Sequence, residues 1–160
     1  MARIIGIDPG LANAGWGIID VNGNRLSYVA HGSIKTESGL PTPTRLKEIY
    51  LAIQDIIELY KPLESSMETL YFAKNVKTAL PVAEARGVLT LALIMSGLQV
   101  GEYTPLQIKQ AVVGNGRADK NQVQQMIKLI LALDKIPKPD HAADALAAAI
   151  CHVHMRTINV

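Results

Sequence analysis

The stretch that most constrains the fold is residues Ile4 to Gly10, which read Ile-Ile-Gly-Ile-Asp-Pro-Gly. An uninterrupted apolar run of this kind is typical of a central strand covered on both faces, so other elements must pack on each side of it. Gly6 would let another backbone approach closely, and Pro9 and Gly10 would end the strand. The run therefore predicts a buried strand that presents one carboxylate, Asp8, at its end, although the same residues could simply open a turn.

Length and composition favour one globular domain over residues 1–160, since 49% of the residues are hydrophobic and 19% are charged. The chain lacks both a continuous apolar run of about 18 residues and the layout of a signal peptide. We therefore expect a cytoplasmic protein with no membrane partner. The single cysteine, Cys151, lies in an apolar helical pattern, which predicts a buried thiol. A net charge of +2 permits nucleic-acid binding without arguing for it.

The rest of the chain shows a regular succession of strand and helix patterns. Two further strands, at 14–21 and 25–35, flank Asn22-Gly23, the strongest hairpin signal in the chain. Apolar spacing and breakers then predict strands at 65–70 and 99–103 and helices at 42–60, 76–95, 105–114, after Asp119 and at 140–154. This order predicts an α/β fold, a mixed five-stranded sheet flanked by helices in a single domain. The pattern is compatible with a ribonuclease-H-like fold.

Four metal-competent side chains can meet in such a fold. Glu68 lies on a strand expected beside that of Asp8, and if Asp140 is the N-cap of the last helix, His141 and Asp144 share one face near its first turn. Carboxylates from separate segments repel one another without a cation, so this cluster predicts a hard divalent metal site. Two metal ions in such a site could activate a water and stabilise the leaving oxygen of a phosphodiester.

Each of these residues also has a simpler explanation. Asp144 could be an ordinary acidic residue of a first helical turn, Glu68 a surface strand residue, and Asp140 only a helix cap. Near the end of the same helix, His152 and His154 are expected to be solvated or to compensate the helix dipole.

Four segments carry a resemblance to a known family. They are Ile-Gly-Ile-Asp-Pro-Gly at 5–10, Met-Glu-Thr-Leu-Tyr-Phe-Ala-Lys-Asn at 67–75, Ile-Lys-Gln-Ala-Val-Val-Gly-Asn-Gly at 108–116 and Asp-His-Ala-Ala-Asp-Ala-Leu-Ala at 140–147. Together, in this order and spacing, they resemble the RuvC family of bacterial Holliday-junction resolvases over nearly the whole chain. The resemblance implies a ribonuclease-H-like homodimer that resolves four-way DNA junctions by paired symmetric nicks, in recombination and repair. It also implies two Mg²⁺ ions per active site, with Mn²⁺ as a substitute, and the branch-migration proteins RuvA and RuvB as partners.

The resemblance assigns catalysis and metal binding to Asp8, Glu68, His141 and Asp144. Many family members have aspartate at the position of His141, so an imidazole here replaces one carboxylate. Because imidazole is the softer ligand, this replacement should favour Mn²⁺ relative to a site made only of carboxylates.

DNA binding requires cations around this acidic cluster, because carboxylates repel the phosphate backbone. By resemblance, Lys109 and Lys120 match basic positions near the scissile phosphate, and Tyr71 matches an aromatic residue that stacks on an unpaired base. Lys74 and Arg117 are further candidates, as is Lys77, although any of these cations could be a solvated surface charge. The resemblance also makes the apolar helix 76–95 the dimer interface; the alternative is a central core helix.

Two other functions remain open on the sequence alone. An actin-like or sugar-kinase ATPase also begins with a strand followed by an acidic glycine turn, but it needs two lobes, and 160 residues supply one. A non-catalytic DNA-binding module that kept the fold is the second alternative. Metal-competent residues at all four positions speak against it, although they show capacity and not activity.

Overall fold

The fold is one five-stranded sheet with helices on both faces, described for residues 1–69 and 76–156 of a computed structural model. The strands are β1 (Ala2–Asp8), β2 (Asn13–Asn22), β3 (Arg25–Lys35), β4 (Glu64–Glu68) and β5 (Val100–Tyr103). The helices of these residues are α1 (Thr42–Tyr60), α2 (Val76–Met95), α3 (Pro105–Val113), α4 (Lys120–Ile130) and α5 (Asp140–Arg156).

The sheet is mixed, as the sequence predicts, and its strand order is β3-β2-β1-β4-β5. The first three strands form an antiparallel meander, whereas β4 lies parallel to β1 and β5 parallel to β4. The predicted hairpin turn is present, with Gly23 at a φ of 59°. The first strand is central, and its Ile4 and Ile5 are fully buried.

The two faces of β1 enter different cores, which is why its residues from Ile4 to Ile7 are isoleucine or glycine. Ile4 packs with residues of α3, α4 and α5. Ile5 and Ile7 instead pack with residues of α1 and α2 on the opposite face. The apolar run predicts a strand that is buried on both faces, and the two helical layers confirm this prediction.

The last helix lies unusually close to the sheet because its contact surface is made of small residues. A methyl group at Gly6 would overlap the Ala145 carbonyl, and one at Gly15 would overlap the His141 carbonyl. The helix side of this contact is rich in buried alanine. Backbone therefore approaches backbone, and α5 is held at a fixed height above β1 and β2.

Local differences from the sequence-based predictions are small. The helix α5 begins at Asp140, and the Pro139 carbonyl accepts hydrogen bonds from the Ala142 and Ala143 amides. Pro139 is therefore the N-cap, and the prediction that Asp140 caps this helix is wrong. The predicted buried thiol is confirmed, and burial raises the pKa of Cys151 to about 12.

One described helix, α2, has the length and mean hydropathy of a membrane span by composition alone. Its Ala85, Leu89 and Leu93 are fully buried against the sheet. Glu84 and Arg86 interrupt its apolar sequence. This helix is thus part of a folded layer, and its apolar character does not indicate a membrane protein.

Candidate active site

Two strand ends place the first two carboxylates side by side. Ile7 of β1 pairs in register with Met67 of the parallel strand β4, so Asp8 and Glu68 follow them at the same edge of the sheet. Side chains alternate along a strand, and Ile7 and Met67 both face the α1 and α2 layer. Asp8 and Glu68 therefore point to the opposite face, which α5 covers.

The first turns of α5 bring the other two predicted residues to Asp8. His141 donates a hydrogen bond from Nδ1 to Asp8 Oδ2 at 2.8 Å. One ligand atom each from Asp8, His141 and Asp144 all lie within 4.8 Å of one another. The close packing of Gly15 against the His141 backbone fixes where this turn lies.

Burial and mutual repulsion make the carboxyl groups of this cluster hard to ionise. The pKa of Glu68 is raised to about 7, mainly by burial and in addition by the negative charges of Asp8 and Asp144. Burial, followed by the charge of Asp8, raises the pKa of Asp144 to about 6. Burial also raises the pKa of Asp8, although the hydrogen bond from His141 opposes that effect. Such a cluster attracts cations, because a cation relieves the repulsion.

The donor set fits a divalent cation. Two carboxylates and one imidazole within 4.8 Å of one another are suitable ligands for an ion such as Mg²⁺ or Mn²⁺. Glu68 is not one of these three residues. It nevertheless shares the site, because it lines one cavity with Asp144 and another with Asp8, and the charges of both residues raise its pKa.

Two cavities flank Glu68. One of about 280 Å³ is lined by Glu68, Asp144, Lys109 and Lys120, among others. The other, of about 270 Å³, is lined by Asp8, Glu68 and Arg86, among others. Cationic side chains therefore stand on both sides of the carboxylates, where they could bind the oxygens of a phosphate group.

The predicted DNA-binding residues divide into four groups, one of which is Lys77 alone, exposed on α2. Lys109 and Lys120 line the cavity that Glu68 and Asp144 share. Arg117 is exposed and lines a different cavity of about 660 Å³, together with Leu106 and Gln110 of α3. Tyr71 and Lys74 lie outside the described residues.

Sequence reasoning missed Arg86 and misjudged His152. The Arg86 guanidinium lies beside the site, where it pairs with Glu102 and donates a hydrogen bond to Met67 Sδ at 2.9 Å. The sequence predicts that His152 is solvated or compensates the helix dipole. The first alternative is wrong, because His152 accepts a hydrogen bond from Tyr103 Oη at 2.7 Å and donates one to Glu64 at 2.8 Å. No local pattern marks either residue, because their partners are distant in sequence.

Comparisons with known proteins agree with this geometry. Residues 4–152 match the family profile described as crossover junction endodeoxyribonuclease RuvC. The protein of that name from Brevibacillus brevis is 54% identical over 154 residues, which cover 96% of this chain and 93% of the relative.

Solved structures give the same result. Thermus thermophilus RuvC in complex with a Holliday junction substrate superimposes with a TM-score of 0.94 at 31% identity, covering 99% of this chain and 97% of that one. The yeast mitochondrial Holliday junction resolvase shares the fold, with a TM-score of 0.70 at 14% identity. The match covers 98% of this chain and 79% of that one. The predicted ribonuclease-H-like architecture is thereby confirmed. The chain belongs to the RuvC family of crossover junction endodeoxyribonucleases.

Proposed function

We propose that this protein resolves four-way (Holliday) DNA junctions by paired symmetric nicks, in recombination and repair in the cytoplasm. The observation that carries the proposal is the meeting of Asp8, His141 and Asp144 within 4.8 Å, beside Glu68 and two lysines. The RuvC of Thermus thermophilus, which covers nearly the whole of this chain, is described with a Holliday junction substrate. On this proposal, residues 1–160 form one nuclease domain.

Asp8, Glu68, His141 and Asp144 are the proposed metal-binding and catalytic residues. The donor set suits Mg²⁺, with Mn²⁺ as a substitute that the imidazole of His141 favours. Two bound ions would supply an activated water and stabilise the leaving oxygen of the phosphodiester. The pKa values of Glu68 and Asp144 are raised in the metal-free protein, and a bound cation would lower both because positive charge favours the ionised carboxylates.

The lysines of the shared cavity are the proposed binding partners of the DNA phosphates. Lys109 and Lys120 line the same space as Glu68 and Asp144, so a phosphate there meets ammonium groups and carboxylates together. Arg117, on the other side of α3, is suited to phosphates farther along the backbone. We assign Lys74 to the same role and Tyr71 to stacking on an unpaired base, both from the sequence alone.

A homodimer is the proposed working form. Five apolar residues of α2 are exposed in the single chain, and we refer to them as the α2 stripe: Val76, Leu80, Leu91, Ile94 and Met95. Exposed apolar surface of this kind is typical of an interface. A second copy would give two active sites related by a two-fold axis, as a symmetric junction requires. The RuvA and RuvB branch-migration proteins are the proposed further partners.

The test is a cleavage assay on a synthetic mobile four-way junction and on linear duplex of the same sequence, with Mg²⁺, Mn²⁺ or EDTA. We expect symmetric nicks in the junction only, dependent on metal. Asp8→Asn should still bind the junction and cut nothing. If the wild-type protein binds the junction but cuts nothing with either metal, the non-catalytic binding module is the better description.

A further inference from the structure

Asp140, the first residue of α5, precedes His141 and contacts the side chains of Gln124, Lys120 and Lys138. Its Oδ1 accepts a hydrogen bond at 3.2 Å from the side-chain amide of Gln124, a residue that is only 8% exposed. Its Oδ2 lies 3.2 Å from the ammonium of Lys120. The ammonium of Lys138 lies 3.5 Å from Oδ1. The carboxylate is thus oriented by a buried amide and faces two cations.

Lys120 is the cation that this arrangement holds over the active site. Its side chain is 56% exposed, and its ammonium lies 4.0 Å from Asp144 Oδ2. It also lines the cavity that contains Glu68 and Lys109. A lysine side chain has many rotamers of similar energy, so without a fixed partner its ammonium would occupy many positions in solvent.

We infer that Asp140 is a positioning residue: through its contacts with Gln124 and Lys120, it holds the Lys120 ammonium at the mouth of the active-site cavity, ready to bind a DNA phosphate. This inference rests on the proposed function, because it names how one of its cations is placed. Asp140 does not itself touch the reacting atoms.

The cleavage rate of bound DNA, measured apart from DNA binding, separates this role from that of an ordinary surface acid. A carboxylate near a phosphate backbone lowers affinity for DNA, so its neutralisation should tighten binding or leave it unchanged. If Asp140 does nothing else, Asp140→Asn should cleave at least as fast as the wild type. If Asp140 positions Lys120, the same substitution should leave binding intact and slow the cleavage of bound DNA.

The experiment measures junction binding in EDTA and, separately, the single-turnover cleavage rate at saturating protein with Mn²⁺. The variants are Asp140→Asn, Asp140→Glu, Lys120→Met and the double variant Asp140→Asn with Lys120→Met. Asp55→Asn is the matched charge control, because Asp55 is exposed on α1, on the other face of the sheet. Thermal unfolding of each variant shows whether its fold is intact.

We expect Asp140→Asn to bind the junction at least as tightly as the wild type and to cleave it about tenfold more slowly at saturation. Asp140→Glu should recover most of that rate, because it keeps the carboxylate. The double variant should be no slower than Lys120→Met, since the role of Asp140 is lost when Lys120 is absent.

The inference is wrong if Asp140→Asn cleaves at the wild-type rate, or if the rate losses of the two single variants multiply in the double variant. Either result would leave the proposed function intact. A wild-type protein that cuts nothing would overturn the proposed function and this inference with it.

Discussion

At the scale of single residues, the site is built from groups that are unfavourable in isolation. Glu68 and Asp144 have raised pKa values because burial and neighbouring carboxylates both oppose ionisation. The folded protein therefore disfavours the ionised form of both carboxyls until a cation binds. This is a common arrangement at functional sites, where stability is lost in exchange for reactivity.

The residue-scale prediction concerns Glu68→Gln in the metal-free protein. The pKa of Glu68 is about 7 when folded against an ordinary value of 4.5, so the folded state holds this proton more tightly than the unfolded state. Its contribution to stability is therefore present in full below about pH 4.5 and is lost as the pH rises through about 7. After allowance for partial exposure of the group, we expect Glu68→Gln to stabilise the metal-free protein by about 1–2 kcal/mol at pH 8.

Urea unfolding in EDTA at pH 5 and pH 8 would measure this difference, with Glu58→Gln on α1 as an exposed control. The control should change neither value. Equal stability of Glu68→Gln and wild type at pH 8 would mean that Glu68 is ionised without penalty.

The residues that sequence reasoning located are those at the ends of patterned elements. Asp8 follows an apolar run that terminates at Pro9-Gly10, and His141 and Asp144 lie in the first turns of the helix that follows Pro139. Arg86 was missed because it differs from other helical arginines only in its contacts with β4 and β5. The resemblance of four segments supplied what local patterns could not, namely that these distant residues belong to one site.

At the scale of elements, the position of α5 depends on glycines in the strands beneath it. Sequence analysis identified Gly6 as a point of close approach, but it gave Gly15 no role. The partner of Gly15 is the backbone of His141, far along the chain, and no feature near Gly15 reveals that contact. Periodicity predicts which elements form, whereas the height of a helix above a sheet follows only from packing.

The element-scale prediction is that Gly15→Ala disturbs the site more than its size suggests. The added methyl group would overlap the His141 carbonyl, so α5 must shift or the strand must bend. Overpacking of this kind costs about 1–3 kcal/mol. We also expect cleavage to fall at least tenfold, because a displaced first turn moves His141 away from Asp8.

Urea unfolding and junction cleavage would be measured in parallel, with Gly39→Ala as the matched control. A methyl group at Gly39 would meet no atom within 4 Å. If Gly15→Ala retained full activity and stability, the close contact between β2 and α5 would not be what places His141.

At the scale of the whole molecule, the arrangement of charge matters more than its sum. The net charge is only +2, yet Lys109 and Lys120 lie beside the carboxylates that a DNA strand must approach. Long-range attraction of DNA by the whole molecule is therefore weak. Because positive charge attracts the phosphates of any DNA, we attribute selectivity for a four-way junction to geometry. Two active sites in a fixed relation would supply that geometry.

The last prediction tests whether the α2 stripe joins the two copies that carry the two active sites, and it uses Leu91→Glu in that stripe. Leu91 and Leu80 are 54% and 58% exposed in the single chain, and the helix between them includes Gly87, where an added methyl group would meet no atom within 4 Å. A helix face with large apolar residues and a small central residue lets a second helix approach closely. A buried glutamate without a partner would be unfavourable in such an interface by several kcal/mol.

We expect Leu91→Glu to be monomeric by light scattering and to lose paired nicking while the fold stays intact. Leu129→Glu is the matched control, since Leu129 is 70% exposed on α4, on the opposite face of the sheet. On a cruciform plasmid, coordinated cuts linearise the DNA, whereas uncoordinated single cuts leave nicked circles. A dimeric Leu91→Glu that still linearises the plasmid would place the interface elsewhere, and the α2 stripe would then need another partner.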